Sequence, residues 1–339
     1  MQADSEFRRP GNATYVSDRD GVGGGGHGFI RATWFEMLAQ HCFADRPVVM
    51  ASARSGKAAA VLPLVDEGDR LVALANYYSF SFGPMFSGPC GTTDHADLLR
   101  RIAMDLRAHH HRVSLYPLRA EDGVADMLRR AFNAAGWIAL LTDQNDNYVL
   151  DVDGRDFASY WTQRPGALRS AVKRKGNSGR YVFRIEESVT DTVWNDYSAV
   201  YRASWKNAEP YPAMVRAIAE EAAARGALRL GFAIGDGGAV AAQIWTIEGR
   251  TACIHKIAHD SREDAGSPGT LLSHHMFRHM IDVERVEQID YGTGGNRYKR
   301  DWMDRARPML RLDCFDPRRA AMWLPALRTR ISQLVRRPG

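Results

Sequence analysis

The sequence predicts a soluble α/β protein built from two related domains, and three observations carry that expectation. Strand-type and helix-type hydrophobic patterns alternate along the chain. The order of elements in the first half recurs in the second. At 339 residues the chain is long for one core and comfortable for two.

The elements follow in order. Residues 1–28, with four consecutive glycines at 23–26, read as a flexible leader. "PVVMASARSGKAAAVLPLVDE" reads as two strands around a Ser55-Gly56-Lys57 turn, and "RLVALANYYSFSFGPMF" as an aromatic strand ending in a Gly-Pro turn. "HADLLRRIAMDLRAHHH" has apolar residues three and four apart, the period of an amphipathic helix. A strand "RVSLYPL", a helix "VADMLRRAFNAAG" closed by Gly136, and strands "WIALL" and "NYVLDV" complete the first half. The second half opens with a helix across "FASYWTQRPGALRSAVKRKGNSG" and a strand "YVFRIEE". Helices over "VWNDYSAVYRASW" and "AMVRAIAEEAAARG" follow. Residues 228–260 read as three strands joined by turns at 235–238 and 248–250. Next come a helix from "SPGTLLSHHMFRHM", a short strand "EQIDYG" and a last strand "PMLRLDCFD". The halves share a plan but little sequence, so the repeat is architectural. Domains at 29–153 and 154–316, with a tail at 317–339, are the expected division.

Composition narrows the function only a little. A 45% hydrophobic and 25% charged content is ordinary for a globular chain. The net charge of +5 permits an anionic partner without choosing among nucleic acid, membrane surface and phosphorylated cofactor. Cys42, Cys90, Cys253 and Cys314 lie far apart with no CxxC, which argues against a zinc site or disulfide framework and for a reducing, cytoplasmic setting. The N-terminus lacks an apolar signal core, and no run is long enough to span a bilayer. The histidines at 109–111 close a helix, where they satisfy last-turn carbonyls, so no metal is expected.

The chemistry concentrates in the second half. Gly266-Ser267-Pro268-Gly269-Thr270 follows a β-rich segment and opens a helix. A helix start leaves backbone N–H groups without intrahelical acceptors and carries the positive end of the dipole. Glycines let an anion come close, and Ser267 and Thr270 add hydroxyls, so the segment suits a pyrophosphate. It equally suits an ordinary helix start, with Ser267 as cap and Pro268 in the first position. The GK[ST] ending of a Walker A loop and a GxGxxG are both missing, which speaks against nucleotide triphosphatases and dinucleotide enzymes.

Context favours the anion. Three antiparallel strands, a phosphate-type loop, a helix and a strand give an order that resembles the GNAT acyl-CoA N-acyltransferases. "GAVAAQIWTIEGRTACIHKIAHD", "SPGTLL" and "IDYGTGGNRYKRDW" resemble the FemAB-like, CelD-type branch of that superfamily. "YRASWK" at 201–206 and "LPL" at 62–64 match the same branch. The resemblance spans most of residues 30–315 and is strongest over 239–302. It implies two tandem GNAT-like domains, each a mixed, largely antiparallel sheet flanked by helices. It also implies direct attack of an amine on an acyl-CoA thioester, with no covalent enzyme intermediate.

Carried over residue by residue, the strand at 253–259, Ile257 included, would face the pantetheine. Ser267, Pro268, Gly269, Thr270 and Leu271 would hold the pyrophosphate. Gly292, with Gly294 and Gly295, would leave room for close approach. His255 and Asp290 are candidates for the ammonium proton. Tyr298 and Lys299 would orient the thioester or protonate the leaving thiolate. Lys299 equally fits an ion pair with Asp290 or Asp301. Lys173 in the basic stretch "LRSAVKRKGNSGR", Trp205 with Lys206, and Gln243 would shape the acceptor side. His274, His275 and His279 read as helix-face residues.

The tail "DPRRAAMWLPALRTRISQLVRRPG" joins apolar residues on one helical side to six arginines, with no acid after Asp316. It fits a helix lying on anionic lipid at the inner face of the cytoplasmic membrane, and equally a helix docked by its apolar side with arginines outward. The expected acceptor is an envelope amine: an amino lipid such as a sphingoid base, as in ceramide synthesis, or an amino sugar of a polysaccharide. Two rivals stand beside acyl-CoA transfer. One is aminoacyl transfer from aminoacyl-tRNA, against which the missing helical-hairpin insertion counts. The other is a non-catalytic binding protein in polysaccharide biosynthesis or export. No DNA partner is expected.

Overall fold

A computed structural model describes residues 28–335 except Cys90, Gly295 and Asn296. The leader up to His27 and the last four residues lie outside it. In chain order the first elements are α1 (Ala32–Cys42), β1 (Val48–Ser55), β2 (Ala58–Asp66), β3 (Leu71–Ala73), β4 (Met85–Ser87), α2 (Thr92–His109), β5 (Arg112–Arg119), α3 (Val124–Ala134) and β6 (Ile138–Asp151). Then come α4 (Phe157–Thr162), α5 (Gly166–Gly176), β7 (Val182–Glu186), α6 (Asp191–Ala203), α7 (Pro212–Ala224), β8 (Leu228–Gly235), β9 (Gly238–Glu248) and β10 (Thr251–His259). The chain closes with α8 (Pro268–Arg278), β11 (Gln288–Thr293), α9 (Arg297–Trp302), β12 (Arg305–Phe315) and α10 (Trp323–Val335).

Two compact units result, one of the chain to Asp146 and from Arg307, the other Asn147–Ala306. Sequence order alone assigned residues up to 316 to the second half. Strand pairing assigns β12 to the first unit, because Met309–Phe315 lies antiparallel to β5. In that unit β1, β2, β3 and β4 pair antiparallel, and β3 pairs parallel with β5. Its core includes Trp34, Phe35, Leu62, Leu64, Leu99 and Phe132.

The second unit holds the candidate site. Its sheet runs β7-β8-β9-β10-β11 and then the end of β6, antiparallel throughout except for β10 beside β11. Helix α8 covers the face that carries Gln243 and Trp245, and α6 and α7 pack against the strands from the other face. An aromatic column fixes the core. Trp245 meets Phe277 edge-on at 5.2 Å, and Phe277 stacks on Trp302 at 4.8 Å and on Tyr160 at 5.7 Å. Gly231 lets α8 lie close to β8: a Cβ there would stand 2.4 Å from Met276 Sδ.

Three elements differ from the sequence reading. The helix expected over 157–179 is two helices, α4 and α5. Pro165 lacks an amide hydrogen and disfavours helical backbone at Arg164. "WIALL" and "NYVLDV" are one strand, β6, which continues through the polar "TDQNDN". The aromatic strand at 70–86 shrinks to three-residue β3 and β4, with the aromatics between them in loop.

Candidate functional site

The site is built on the parallel pair β10–β11. Thr251, Ala252 and Cys253 pair with Gln288, Ile289 and Asp290, and the pairing ends there. Beyond that point β10 continues to His259, and a register shift between Ile254 and Lys256 marks a bulge at His255. The two strands therefore part, leaving a wedge between the second half of β10 and the end of β11.

On one side of the wedge lies the start of α8. Pro268 takes the first helical position, as the sequence indicates. Ser267 does not cap with its side chain; it adopts a left-handed backbone, φ 56° and ψ 45°, and its hydroxyl reaches the Asp264 carbonyl at 3.4 Å. The amides of Gly269 and Thr270 fall in the first turn, where a helix has no acceptors of its own. Leu271 is buried in the core, and its amide donates to the Ser267 carbonyl at 3.1 Å. Close packing explains both glycines. A Cβ at Gly266 would meet the Tyr181 hydroxyl at 1.9 Å, and one at Gly269 would stand 2.9 Å from His259 Nδ1. The loop carries both signs: Lys175 donates to the Ala265 carbonyl at 2.5 Å, and Arg180 pairs with the loop's own Glu263 at 2.8 Å. Lys173, two residues before Lys175, sits on the exposed face of α5. The amides of the first turn are the groups here with which an anion could bond.

A hydrogen-bonded chain runs from this helix to α9. Trp245 Nε1 donates to Gln243 Oε1 at 2.9 Å, and Gln243 Nε2 donates to Ser273 Oγ at 2.7 Å and to the Gly269 carbonyl at 3.2 Å. Ser273 Oγ meets the Tyr298 hydroxyl at 2.8 Å. Burial pushes the Tyr298 phenol up to about 12, so it stays protonated at neutral pH. Ile257 lies on this same face, opposite Gln243 in register.

The other face gathers charge. His255 Nε2 bonds Thr246 Oγ1 at 2.9 Å. Lys256 pairs with Glu209, which also accepts from the Tyr201 hydroxyl at 3.3 Å. Burial pushes Lys206 down to about 8; Lys256 adds to the effect and Glu209 opposes it. Lys299 is likewise pushed down to about 8, chiefly by burial, with Asp290 opposing and Lys206 adding. Lys299 Nζ donates to the carbonyls of Tyr291, Gly292 and Thr293 at 3.0, 3.3 and 2.6 Å. Those bonds occupy all three ammonium protons and clamp the end of β11. Asp290 is fully buried, accepting from Asn147 at 3.1 Å and from the Gly292 amide at 2.9 Å. That turn holds Gly292 at φ 69°, where a side chain would be strained.

Between α6 and α7, beside this cluster, is a cavity of about 390 Å³. Trp194, Tyr197, Tyr201, Pro212 and Val215 line it, with Lys206 and Glu209. Trp205 is 56% exposed and its ring lies 4.5 Å from that of His259, whose Nε2 meets Asp264 Oδ1 at 2.7 Å.

The structure thus brings His255, Asp290, Lys299 and Gly292 to one side of the wedge. Gln243, Ile257, Tyr298 and the start of α8 gather on the other, and Lys173 is exposed on α5. Glu209, Lys256 and Lys175 were not singled out by the sequence. Lys175 falls in the basic run 173–175 that the sequence displays, and Lys256 stands out as a lysine in the strand "TACIHKIAH". His274 packs edge-on against Phe157 and Trp161, and burial pulls it down to about 4, a neutral packing residue. Among the described residues no group of three His, Cys, Asp or Glu is placed to hold a metal.

Residues 161–300 match the profile of the acetyltransferase (GNAT) domain. No curated protein is matched by sequence. Among solved structures, the chain is similar to FemX, with a TM-score of 0.61 at 8% identity, covering 91% of this chain and 96% of that one. It is similar to the C-terminal domain of a putative lysylphosphatidylglycerol synthetase from Agrobacterium fabrum (TM-score 0.55, 14% identity, 89% and 91% covered). It also resembles L-PGS from Bacillus licheniformis (TM-score 0.53, 13% identity, 87% and 95% covered). At these identities the likeness is one of fold: the chain has a GNAT-like, FemAB-type fold, mixed α/β with a mostly antiparallel sheet flanked by helices.

Proposed function

We propose that the second unit transfers an acyl group from acyl-CoA to an amine, with the thioester lying in the wedge between β10 and β11. The observation that carries this reading is the wedge itself, with first-turn amides of α8 and the Tyr298 hydroxyl on one side and a buried lysine–carboxylate cluster on the other. The GNAT profile over residues 161–300 supports transferase chemistry at this place. The pyrophosphate rests on the amides of Gly269 and Thr270 with Ser267 alongside, and the pantetheine runs beside Ile257.

The reaction needs a neutral amine. Lys206, in its uncharged form, takes the proton from the acceptor ammonium. The amine nitrogen bonds to the thioester carbon, and the carbon–sulfur bond breaks. Tyr298 gives its phenolic proton to the departing thiolate and recovers one from the acceptor nitrogen through solvent. Asp290 and Lys299 hold the end of β11, and His255 fixes the bulge through Thr246. Proximity and exclusion of water then supply most of the acceleration.

The cavity between α6 and α7 is the acceptor's place. Its aromatic lining suits an amine on an apolar body, an amino lipid such as a sphingoid base, better than an amino sugar. Saturating acyl-CoA should raise the melting temperature by roughly 5 °C, as expected for ligand at about a hundred times its Kd. No shift with acetyl-CoA or any longer acyl-CoA removes this reading. A second reading, aminoacyl transfer from aminoacyl-tRNA, is favoured by the FemX-type fold and the basic run Lys173-Arg174-Lys175. Stabilisation by aminoacyl-tRNA but not by acyl-CoA would select it.

A further inference from the structure

Helix α10 is amphipathic, and its orientation is the opposite of a docked helix. Ala326 is 6% exposed and faces the protein, with Pro325, Thr329 and Ser332 half-buried around it. Trp323, Leu324, Leu327 and Ile331 point outward at 65%, 55%, 55% and 50% exposure. These four form a single stripe on the helix, because residues 323, 327 and 331 are spaced by four and 324 lies beside them. The helix thus packs through small and polar residues and presents its large apolar ones. Arg328 and Arg330 are exposed and stand roughly 80° to either side of the stripe, at ~100° per residue.

We infer that α10 is a membrane-docking helix, which lays Trp323, Leu324, Leu327 and Ile331 into the surface of an anionic bilayer. Charge complementarity selects that occupant. Arginines flank the stripe on both sides, so their aliphatic stems can lie along the acyl boundary while the guanidinium groups meet lipid phosphates. No acid occurs anywhere after Asp316, and cationic flanks of this kind add affinity for anionic headgroups. A second copy of the helix is a poorer fit, because pairing two such faces brings Arg328 and Arg330 against their own duplicates. The inference stands independently of the acyl-transfer reading, since it is argued from none of the residues of the wedge or the cavity. No helix among the described residues is long and apolar enough to cross a membrane.

The test is flotation of the full chain with vesicles of phosphatidylcholine alone or with 30% phosphatidylglycerol. The protein should float with the anionic vesicles and not the neutral ones, and 0.5 M salt should release most of it. Leu327→Asp should weaken partitioning about 10-fold or more. Arg328→Gln with Arg330→Gln should weaken it by a similar factor and flatten the salt dependence. All three positions are exposed, so circular dichroism and melting temperature should match the parent and exclude a folding defect. Equal flotation with both vesicle types, no flotation with either, or a Leu327-dependent dimer in sedimentation without lipid would each overturn the inference.

Discussion

Replacing Gly269 by glutamate separates ligand binding from folding. The residue sits in the first turn of α8 with negative φ, so a side chain meets no backbone strain. Its new Cβ would stand 2.9 Å from His259 Nδ1, and that ring must give by a few tenths of an ångström. Against this, removing a helical glycine gains up to about 1 kcal/mol, and an acid in the first turn gains about 0.3–1 kcal/mol from the dipole. The folded state should therefore keep its stability to within about 1 kcal/mol. Binding should not survive. Two unit charges at ~6 Å in an effective dielectric of ~40 interact by about 1.4 kcal/mol, so a carboxylate opposite a pyrophosphate dianion costs about 3 kcal/mol, roughly 100-fold in Kd. Gly269→Gln has nearly the same size without the charge and should lose no more than about tenfold. Titration calorimetry with CoA on the parent and both variants, beside thermal melts, reads all three quantities. Parental affinity in the glutamate variant, or equal losses in both variants, would refute the electrostatic assignment of this helix start.

Other residues make independent predictions. Tyr298→Phe should lower kcat for thiol release with an amino-lipid acceptor by about 100-fold, the lower end for loss of a general acid, while KM for acyl-CoA stays within about threefold. An unchanged kcat would remove Tyr298 as the proton donor. Lys206 is charged below about 8 and neutral above it, so activity should rise with pH through that value and level off. In Lys206→Arg the side chain stays charged, so activity should fall and the inflection near 8 vanish; a retained profile would assign the titration elsewhere. Gly231→Ala should destabilise the fold by about 1–3 kcal/mol in denaturant melts, because its methyl overlaps Met276, and Gly231→Ala with Met276→Ala should lose less than the sum of the two single losses. A silent Gly231→Ala would contradict the close approach of α8 to β8.

The elements nearest the proposed site were the most legible. Pro268 and two glycines announced the start of α8, and the apolar runs of β8, β9 and β10 between glycine turns announced the hairpins. Less legible were places where a local pattern continued through a break or was interrupted inside one element. The apolar spacing of Trp161, Leu168 and Val172 bridges Pro165 and hides the boundary between α4 and α5. The polar middle of β6 hides its continuity. Lys256 and Glu209, 47 residues apart, meet only because the loop after α6 folds over β10, and no periodicity encodes that meeting. In α10 the sequence displayed two faces, and only the burial of Ala326 showed which one is turned outward.

Hydrogen exchange on the full chain, with and without a long-chain acyl-CoA, tests the placement of the donor most directly. Bound acyl-CoA should protect amides in the second half of β10, at Gly269 and Thr270 in the first turn of α8, and at the end of β11. The amides of β1 to β5 should keep their rates. Saturating ligand that protects none of these three segments, or protects only the first unit, would contradict the wedge as the acyl-CoA site.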